Sequence, residues 1–481
     1  MKYESVIGLE IHTELKTKTK MFCYSLNDPN EKHPNLNICP ICMGHPGTLP
    51  VINREAVWKT ILTGLALNGI IAEFSQFDRK NYFYPDLPKG YQISQYQHPL
   101  VWGGHLDLNG RKVRITRIHL EEDTGRLIHD PKTGATLVDF NRAGVPLMEL
   151  VTEPDLRSGE EVREFGEELQ KILRYLDVSD ADMEKGQLRV EVNMSLRPKI
   201  TSTKSQAPNQ LGIKVEIKNI NSFRFAADAA DYEIKRQTEL LKKGEKIIQE
   251  TRGWDEKKGI TLSQRSKEEA HDYRYFPEPD LPPLQFNKDQ IEEIRAALPE
   301  LPAAKQERFE KEYGLENNSA EILVRDKALA GYFEAVVSEL GGNGKLAASF
   351  LTGDFLRFLR GASASVSEVR VTPENMAELL SYVSENRISN LVAKEVLEEM
   401  FRSGEDPSDI IERLGLWQIS DAGDLEDIVR HIVKENSKAV EDYKKGKEES
   451  LQYLLGQVMR ESRGKANPKI VREILVRLMK E

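Results

Sequence analysis

The sequence predicts an α+β protein: an N-terminal cradle domain on a mainly antiparallel sheet, an all-helical middle domain and a small helical tail domain. Three observations predict it. Segments in the first half alternate apolar and polar residues in steps of two, the period of a half-buried strand. From about residue 290 the period becomes helical and the β-branched runs vanish. At 481 residues the chain also exceeds what one hydrophobic core serves, so several domains are expected. The boundaries fall at 1–289, 290–404 and 405–481.

Three strands carry the clearest pattern. In Val6 to Glu14, Glu10, His12 and Glu14 lie on one side and Ile7, Leu9 and Ile11 on the other. Leu188 to Leu196 sets Arg189, Glu191 and Asn193 against Leu188, Val190, Val192 and Met194. Ile213 to Lys218 sets Lys214, Glu216 and Lys218 against Ile213, Val215 and Ile217. Two readings fit: an antiparallel sheet with one solvated face, or a cradle whose polar face gathers carboxylates for a divalent metal and phosphate chemistry. Asn109-Gly110 and Gly103-Gly104 punctuate the strands as turns.

One helix of this domain is well signalled. Ser158 and Glu161 read as a capping box ahead of Val162, Phe165, Leu169, Ile172, Leu173 and Leu176, which share a helical face. Phe276 to Pro283 cannot be helical, because four prolines fall in seven positions, and it closes the first domain. In the helical domain, Leu323 to Leu340 reads as a helix, and Thr372-Pro373 as the N-cap and first residue of another.

Composition narrows the function. With 39% hydrophobic and 30% charged residues this is an ordinary globular chain. No apolar run approaches the roughly 18 residues a membrane helix needs, and the N-terminus enters a strand at once, so a cytoplasmic protein is expected. A net charge of −10 argues against nucleic-acid binding over the whole surface, though not at a local basic site. No Walker loop, dinucleotide fingerprint or nucleophile elbow is present, so any ATP site is of another kind.

Four segments carry chemistry. Glu121, Glu122 and Asp123 concentrate three acids before Gly125, either as a solvated loop or as hard oxygen ligands beside Glu10 and His12. Phe77 to Asp86 interleaves aromatics with Arg79 and Lys80, a packed loop or a surface for bases and phosphates, with Lys80 as phosphate ligand. Cys23 with Cys39-Pro-Ile-Cys42 suits structural zinc if His33, His45 or another group completes four ligands. The tail, residues 456–481, holds seven Lys/Arg against three Glu. Around its Gly464-Lys465 turn, Arg463, Lys465 and Lys469 form either a solvated basic helix end or a phosphate-backbone grip.

The chain resembles the B-subunit family of the aspartyl/glutamyl-tRNA amidotransferases. Val6 to Leu15, Asp78 to Asp86, Val138 to Asp155, Lys218 to Phe223, Asp272 to Asp280 and the Gly-Lys-Ala-Asn-Pro tail carry the likeness, in order along nearly the whole chain. The resemblance implies an enzyme that uses ATP and Mg2+ to phosphorylate the side-chain carboxyl of Glu or Asp misattached to tRNA(Gln) or tRNA(Asn). Ammonia then displaces the phosphate. It implies two protein partners in a heterotrimer, an amidase-family glutaminase and a small belt-like protein.

By the same resemblance Glu10, His12, Lys80, Glu122, Glu191 and Glu216 are catalytic, and Lys80, Asn193 and Lys218 hold the nucleotide. Glu10, His12, Glu121 and Glu122 are magnesium ligands, and the tail contacts tRNA. In family members with zinc a C-x-C precedes the C-x2-C, and here its second position is Ser25. Two other functions fit less well. A tRNA-binding scaffold without catalysis leaves the acidic cluster unexplained, because carboxylates repel phosphates without a metal. A stand-alone kinase of a small acid leaves the basic tail unexplained.

Overall fold

The computed structural model describes residues 3–199, 211–266, 272–418, 422–462 and 464–480. Two compact units divide the chain, Met1–Leu301 and Pro302–Glu481.

The first unit is organised by a ten-stranded sheet. Seven strands matter here: β1 (Tyr3–Glu14), β2 (Arg111–Glu122), β3 (Pro146–Thr152), β4 (Leu188–Pro198), β5 (Val215–Lys218), β6 (Glu250–Asp255) and β7 (Ile260–Ser266). They lie in the order β7-β6-β5-β4-β1-β3-β2, continued past β2 by the short strands Val101–Trp102 and Ile70–Ile71. Only β5 and β6 run parallel; the other neighbours are antiparallel. The expected strands are present, the third starting at Val215, with Ile213 exposed ahead of it. Asn109 (φ 49°) and Gly110 (φ 82°) are both left-handed, as a two-residue hairpin turn into β2 requires.

Alternation decides what each face does. Ile7, Leu9 and Ile11 of β1 and Val190 and Val192 of β4 join one core with Phe165, Leu169 and Leu173 of α1 (Gly159–Tyr175) and Ala226, Ala229 and Ala230 of α2 (Phe223–Lys242). The helices thus cover the apolar face. Gly166 lets them close: a Cβ there would sit 2.3 Å from the Phe223 ring. Ser158 caps α1 by accepting the Glu161 N–H, but the reciprocal half of the predicted capping box differs. The Glu161 carboxylate takes the N–H of Arg157 instead, at 2.7 Å.

A separate three-stranded sheet, made by Asp78–Asn81, Tyr91–Ser94 and Phe276–Pro277, joins the polar side of β2 through a hydrogen bond from Ser94 Oγ to Glu121 at 3.1 Å.

The second unit is helical, with one core around Phe333, Leu351, Leu380 and Leu397 and another around Leu454, Val458, Val471 and Leu475. The predicted helix Leu323 to Leu340 is broken into Asn317–Val324 and Lys327–Glu339, because Asp326 turns extended and caps the second segment through the Leu329 N–H. Thr372 and Pro373 start a helix as expected. Gly464 (φ 77°) makes the turn before the proline-started helix Pro468–Lys480. Lys465 is half-buried and Lys469 exposed; Arg463 lies outside the described residues. Among the described residues no helix is long and apolar enough to cross a membrane.

Candidate active site

Register builds the site from the polar face. Glu10 pairs across with Glu191, and His12 lies between Arg189 on β4 and Glu149 on β3, which in turn faces His119 on β2. On β5, Glu216 faces Asn193. Strands stand roughly 5 Å apart, so these rows stack carboxylates and imidazoles into one patch.

Three overlapping groups offer ligand atoms within 4.8 Å of one another: Glu10, His12 and Glu149; His119, Glu121 and Glu149; and Glu10, Glu191 and Glu216. His12 Nε2 lies 3.3 Å from Glu149, 3.7 Å from Glu121 and 3.8 Å from Glu10. His119 Nε2 lies 3.5 Å from Glu149. Cations rim the patch. Lys218 Nζ pairs with Glu191 at 2.9 Å, Thr251 donates to Glu216 at 2.7 Å, and Lys80 sits 5.2 Å from the Tyr273 ring centroid.

The electrostatics reveal excess acid. Burial, then the charges of Glu149 and Glu191, push Glu10 up to about 7. Burial alone would lower His12, but its hydrogen bond to Glu149 and the charges of Glu149, Glu121 and Glu10 lift it to about 9. For Lys80, burial is outweighed by Glu121, Tyr275 and Glu149, which hold its ammonium well above the usual lysine range. Beyond His12, burial and then Asp123 push Glu14 up to about 8, while Arg189 and Arg142 overcome burial to hold Asp123 low. Desolvated carboxylates at such density are costly unless a cation neutralises them. Asn193 Oδ1, on the same face, is buried without a hydrogen-bond partner. Glutamate and amide oxygens beside one imidazole suit a hard divalent ion.

The sequence-predicted residues divide accordingly. Glu10, His12, Glu121, Glu191 and Glu216 are brought together, with Lys218 paired into the group and Asn193 on the same face. Glu122 is placed elsewhere. Adjacent strand residues face opposite ways, and Glu122 is held by Lys89 Nζ at 2.6 Å and the Ile93 N–H at 2.9 Å, in a cavity shared with Cys23 and Cys42. Sequence reasoning misses Glu149 and His119. The step of two that relates Glu10 to His12 also relates His119 to Glu121, whereas Glu149 is hidden in the apolar run Pro146–Thr152.

The cysteines form the fourth ligand group. Cys39 and Cys42 Sγ lie 3.8 Å apart, and a closed zinc site needs four ligands. Ser25 Oγ stands 3.9 Å from Cys42 Sγ, the buried Lys20 ammonium is also 3.9 Å from that sulfur, and His45 lines the same cavity as Cys23 and Cys42. The three sulfurs supply three of the four donors that a closed tetrahedral zinc site needs, and they stand beside a cation. Purified protein is expected to carry well under one equivalent of zinc by elemental analysis, and Ser25→Cys to raise that content. Full zinc occupancy in the unsubstituted chain would contradict the reading.

Comparison with known proteins gives the family. Residues 5–292 match the family described as the GatB/GatE catalytic domain, and residues 331–479 match the GatB domain family. The chain is similar to the B subunit of the aspartyl/glutamyl-tRNA(Asn/Gln) amidotransferase of Caldicellulosiruptor saccharolyticus, with 51% identity covering 99% of this chain and 98% of that one. The proteins of the same name from Thermodesulfovibrio yellowstonii and Persephonella marina are 50% and 49% identical, each over 100% of both chains. These matches extend over both units, and the chain belongs to the family of aspartyl/glutamyl-tRNA(Asn/Gln) amidotransferase B subunits.

Proposed function

We propose that this protein converts Glu-tRNA(Gln), Asp-tRNA(Asn) or both to the amidated forms through a phosphorylated side chain. Ammonia comes from glutamine by way of the glutaminase of a heterotrimer, which a small third protein completes. The observation that carries the reading is the clustering of Glu149, Glu191 and Glu216 with His12 around Glu10, whose acid is pushed up by burial and by the charges of Glu149 and Glu191. Such a centre repels a phosphate and an acidic side chain unless a cation is present. Glu10, His12, Glu149, Glu191 and Glu216 would hold magnesium, which neutralises phosphate charge when bound.

The remaining work falls to side chains of this chain. The substrate carboxylate oxygen attacks the γ-phosphorus of ATP, the bond to the β-phosphate oxygen breaks, and ADP leaves. Lys80 and Lys218, both held cationic by neighbouring acids, would balance charge on the transferring group. Ammonia then attacks the acyl carbonyl carbon and inorganic phosphate departs. No hydrolase elbow is present in the sequence, in keeping with an enzyme that receives ammonia. Residues 405–481, with Arg463, Lys465 and Lys469, would grip the tRNA backbone, and the domains 1–289 and 290–404 would carry the chemistry and link it to that tail.

The test reconstitutes the heterotrimer and supplies ATP, glutamine and each misacylated tRNA separately. ATP-dependent amidation of at least one tRNA is expected, and ammonium salts should replace glutamine when the glutaminase is inactivated. Deleting residues 405–481 should raise KM for aminoacyl-tRNA far more than it lowers single-turnover chemistry. Amidation of either tRNA without ATP would refute the phosphorylation step.

A further inference from the structure

A continuous line of aromatic and cationic side chains leads away from the carboxylates. Lys80 lies over Tyr273; the Tyr273 ring meets Tyr275 edge-on at 6.1 Å; Tyr275 stacks on Tyr96 at 4.3 Å with 10° between planes. The Arg117 guanidinium then stands 5.7 Å from the Tyr96 centroid, and Trp102 is the cross-strand partner of Arg117. Tyr96 is 46% exposed and Trp102 42% exposed.

Two features mark this line as a binding surface. Arg117 shares the face of His119 and Glu121, yet no hydrogen bond or ion pair of its side chain is found among the described residues, and its Nε is buried without a partner. A half-buried guanidinium left unpaired beside an aromatic ring is a site for an anion. The tyrosines are also fixed in advance. The Tyr96 N–H donates to the buried Asp78 carboxylate at 2.9 Å. The Asn81 amide donates to the carbonyls of Tyr273 and Arg274 at 3.2 and 2.9 Å. Arg274 itself takes φ 45°, rare for a side chain of this kind.

We propose that Trp102, Arg117, Tyr96 and Tyr275 form the track for the unpaired 3′ end of the aminoacyl-tRNA. Bases stack on the rings and Arg117 pairs with a phosphate. The inference rests on the function proposed above. An amino acid whose side chain lies at Glu10 and Lys80 is ester-linked to the terminal nucleotide, so the preceding nucleotides must leave along a surface that starts there. Ring stacking with interspersed cations binds single strands with little regard to base identity. An adenine ring also belongs to ATP, so the test must separate the two sources.

The probe is a single-stranded RNA tetranucleotide with 2-aminopurine as its 3′ base, titrated into the full-length chain without ATP. Tyr96→Ala, Tyr275→Ala and Arg117→Ala are each expected to weaken binding about ten-fold, and Tyr96→Phe to retain it. Arg117→Ala should also flatten the salt dependence by close to one phosphate contact. ATP affinity, titrated separately, should stay within two-fold. RNA binding within two-fold of wild type in the alanine variants would overturn the track. So would loss of ATP affinity with RNA binding intact, which would give the rings to the nucleotide. Because the assay reads binding without turnover, failure of the phosphorylation chemistry would leave its outcome unchanged.

Discussion

Glu149→Gln is expected to lower ATP-dependent amidation by on the order of a thousand-fold, the several kcal/mol that a correctly held metal contributes to a phosphoryl transition state. Glu149 belongs to two of the three oxygen-rich groups and faces both imidazoles, His12 at 3.3 Å and His119 at 3.5 Å. Burial would raise its acid, but His119, His12 and Lys80 together hold it ionised, well below the usual carboxylate range. The amide keeps the shape and one acceptor oxygen but removes the negative charge, which weakens the hold on the metal and on both imidazoles together. The fold should survive, because removing one carboxylate relieves the crowding that raises Glu10. Manganese binding read by electron paramagnetic resonance should weaken in Glu149→Gln and persist in Glu122→Gln, whose carboxylate is committed to Lys89. Single-turnover amidation by Glu149→Gln within ten-fold of wild type, at saturating tRNA and magnesium, would sink the assignment.

The site is legible where side chains obey strand period and opaque where distant segments supply partners. Glu10, His12, Glu191 and Glu216 emerge from alternation, because polar residues at every second position must share a face. Glu121 and Glu122 look equivalent in the sequence, yet the same rule sends them to opposite sides, and only Lys89 and the Ile93 N–H reveal where Glu122 is held. Glu149 has no alternating signature because both faces of β3 are buried: Met148 and Leu150 flank it in an otherwise apolar run. Register across β1, β3 and β2 gives it meaning, and register is a long-range property. The break at Asp326 escapes the sequence pattern for a local reason. An N-cap aspartate inside an apolar periodic stretch ends one helix and starts the next without changing the period.

The second large effect is on stability, and it comes from outside the acidic centre. Glu233→Ala is expected to cost about 3–5 kcal/mol, the penalty for breaking a buried charge network from one side. Glu233 on α2 is fully buried and accepts from Arg236 at 2.8 and 2.9 Å and from Gln237 at 3.1 Å, with Arg252 paired at 3.0 Å and the Thr261 hydroxyl also donating. The network ties the helix layer to β6 and β7 at the edge of the sheet. Alanine leaves the Arg236 and Arg252 guanidiniums with Glu250 as their remaining carboxylate, at 3.6 and 2.6 Å. The damage should reach the site, because β6 carries Thr251, whose hydroxyl fixes Glu216 at 2.7 Å. A chain of two units does not unfold as one state, so the measurement is native-state hydrogen exchange at the amides of β6. Protection there should fall by the full amount in Glu233→Ala and by less in Glu233→Gln, which keeps an acceptor for the arginines. Manganese affinity should decline in step with it. A loss of protection under about 1 kcal/mol in the alanine variant would show that the edge strands hold without the network, and that Thr251 reaches Glu216 by other means.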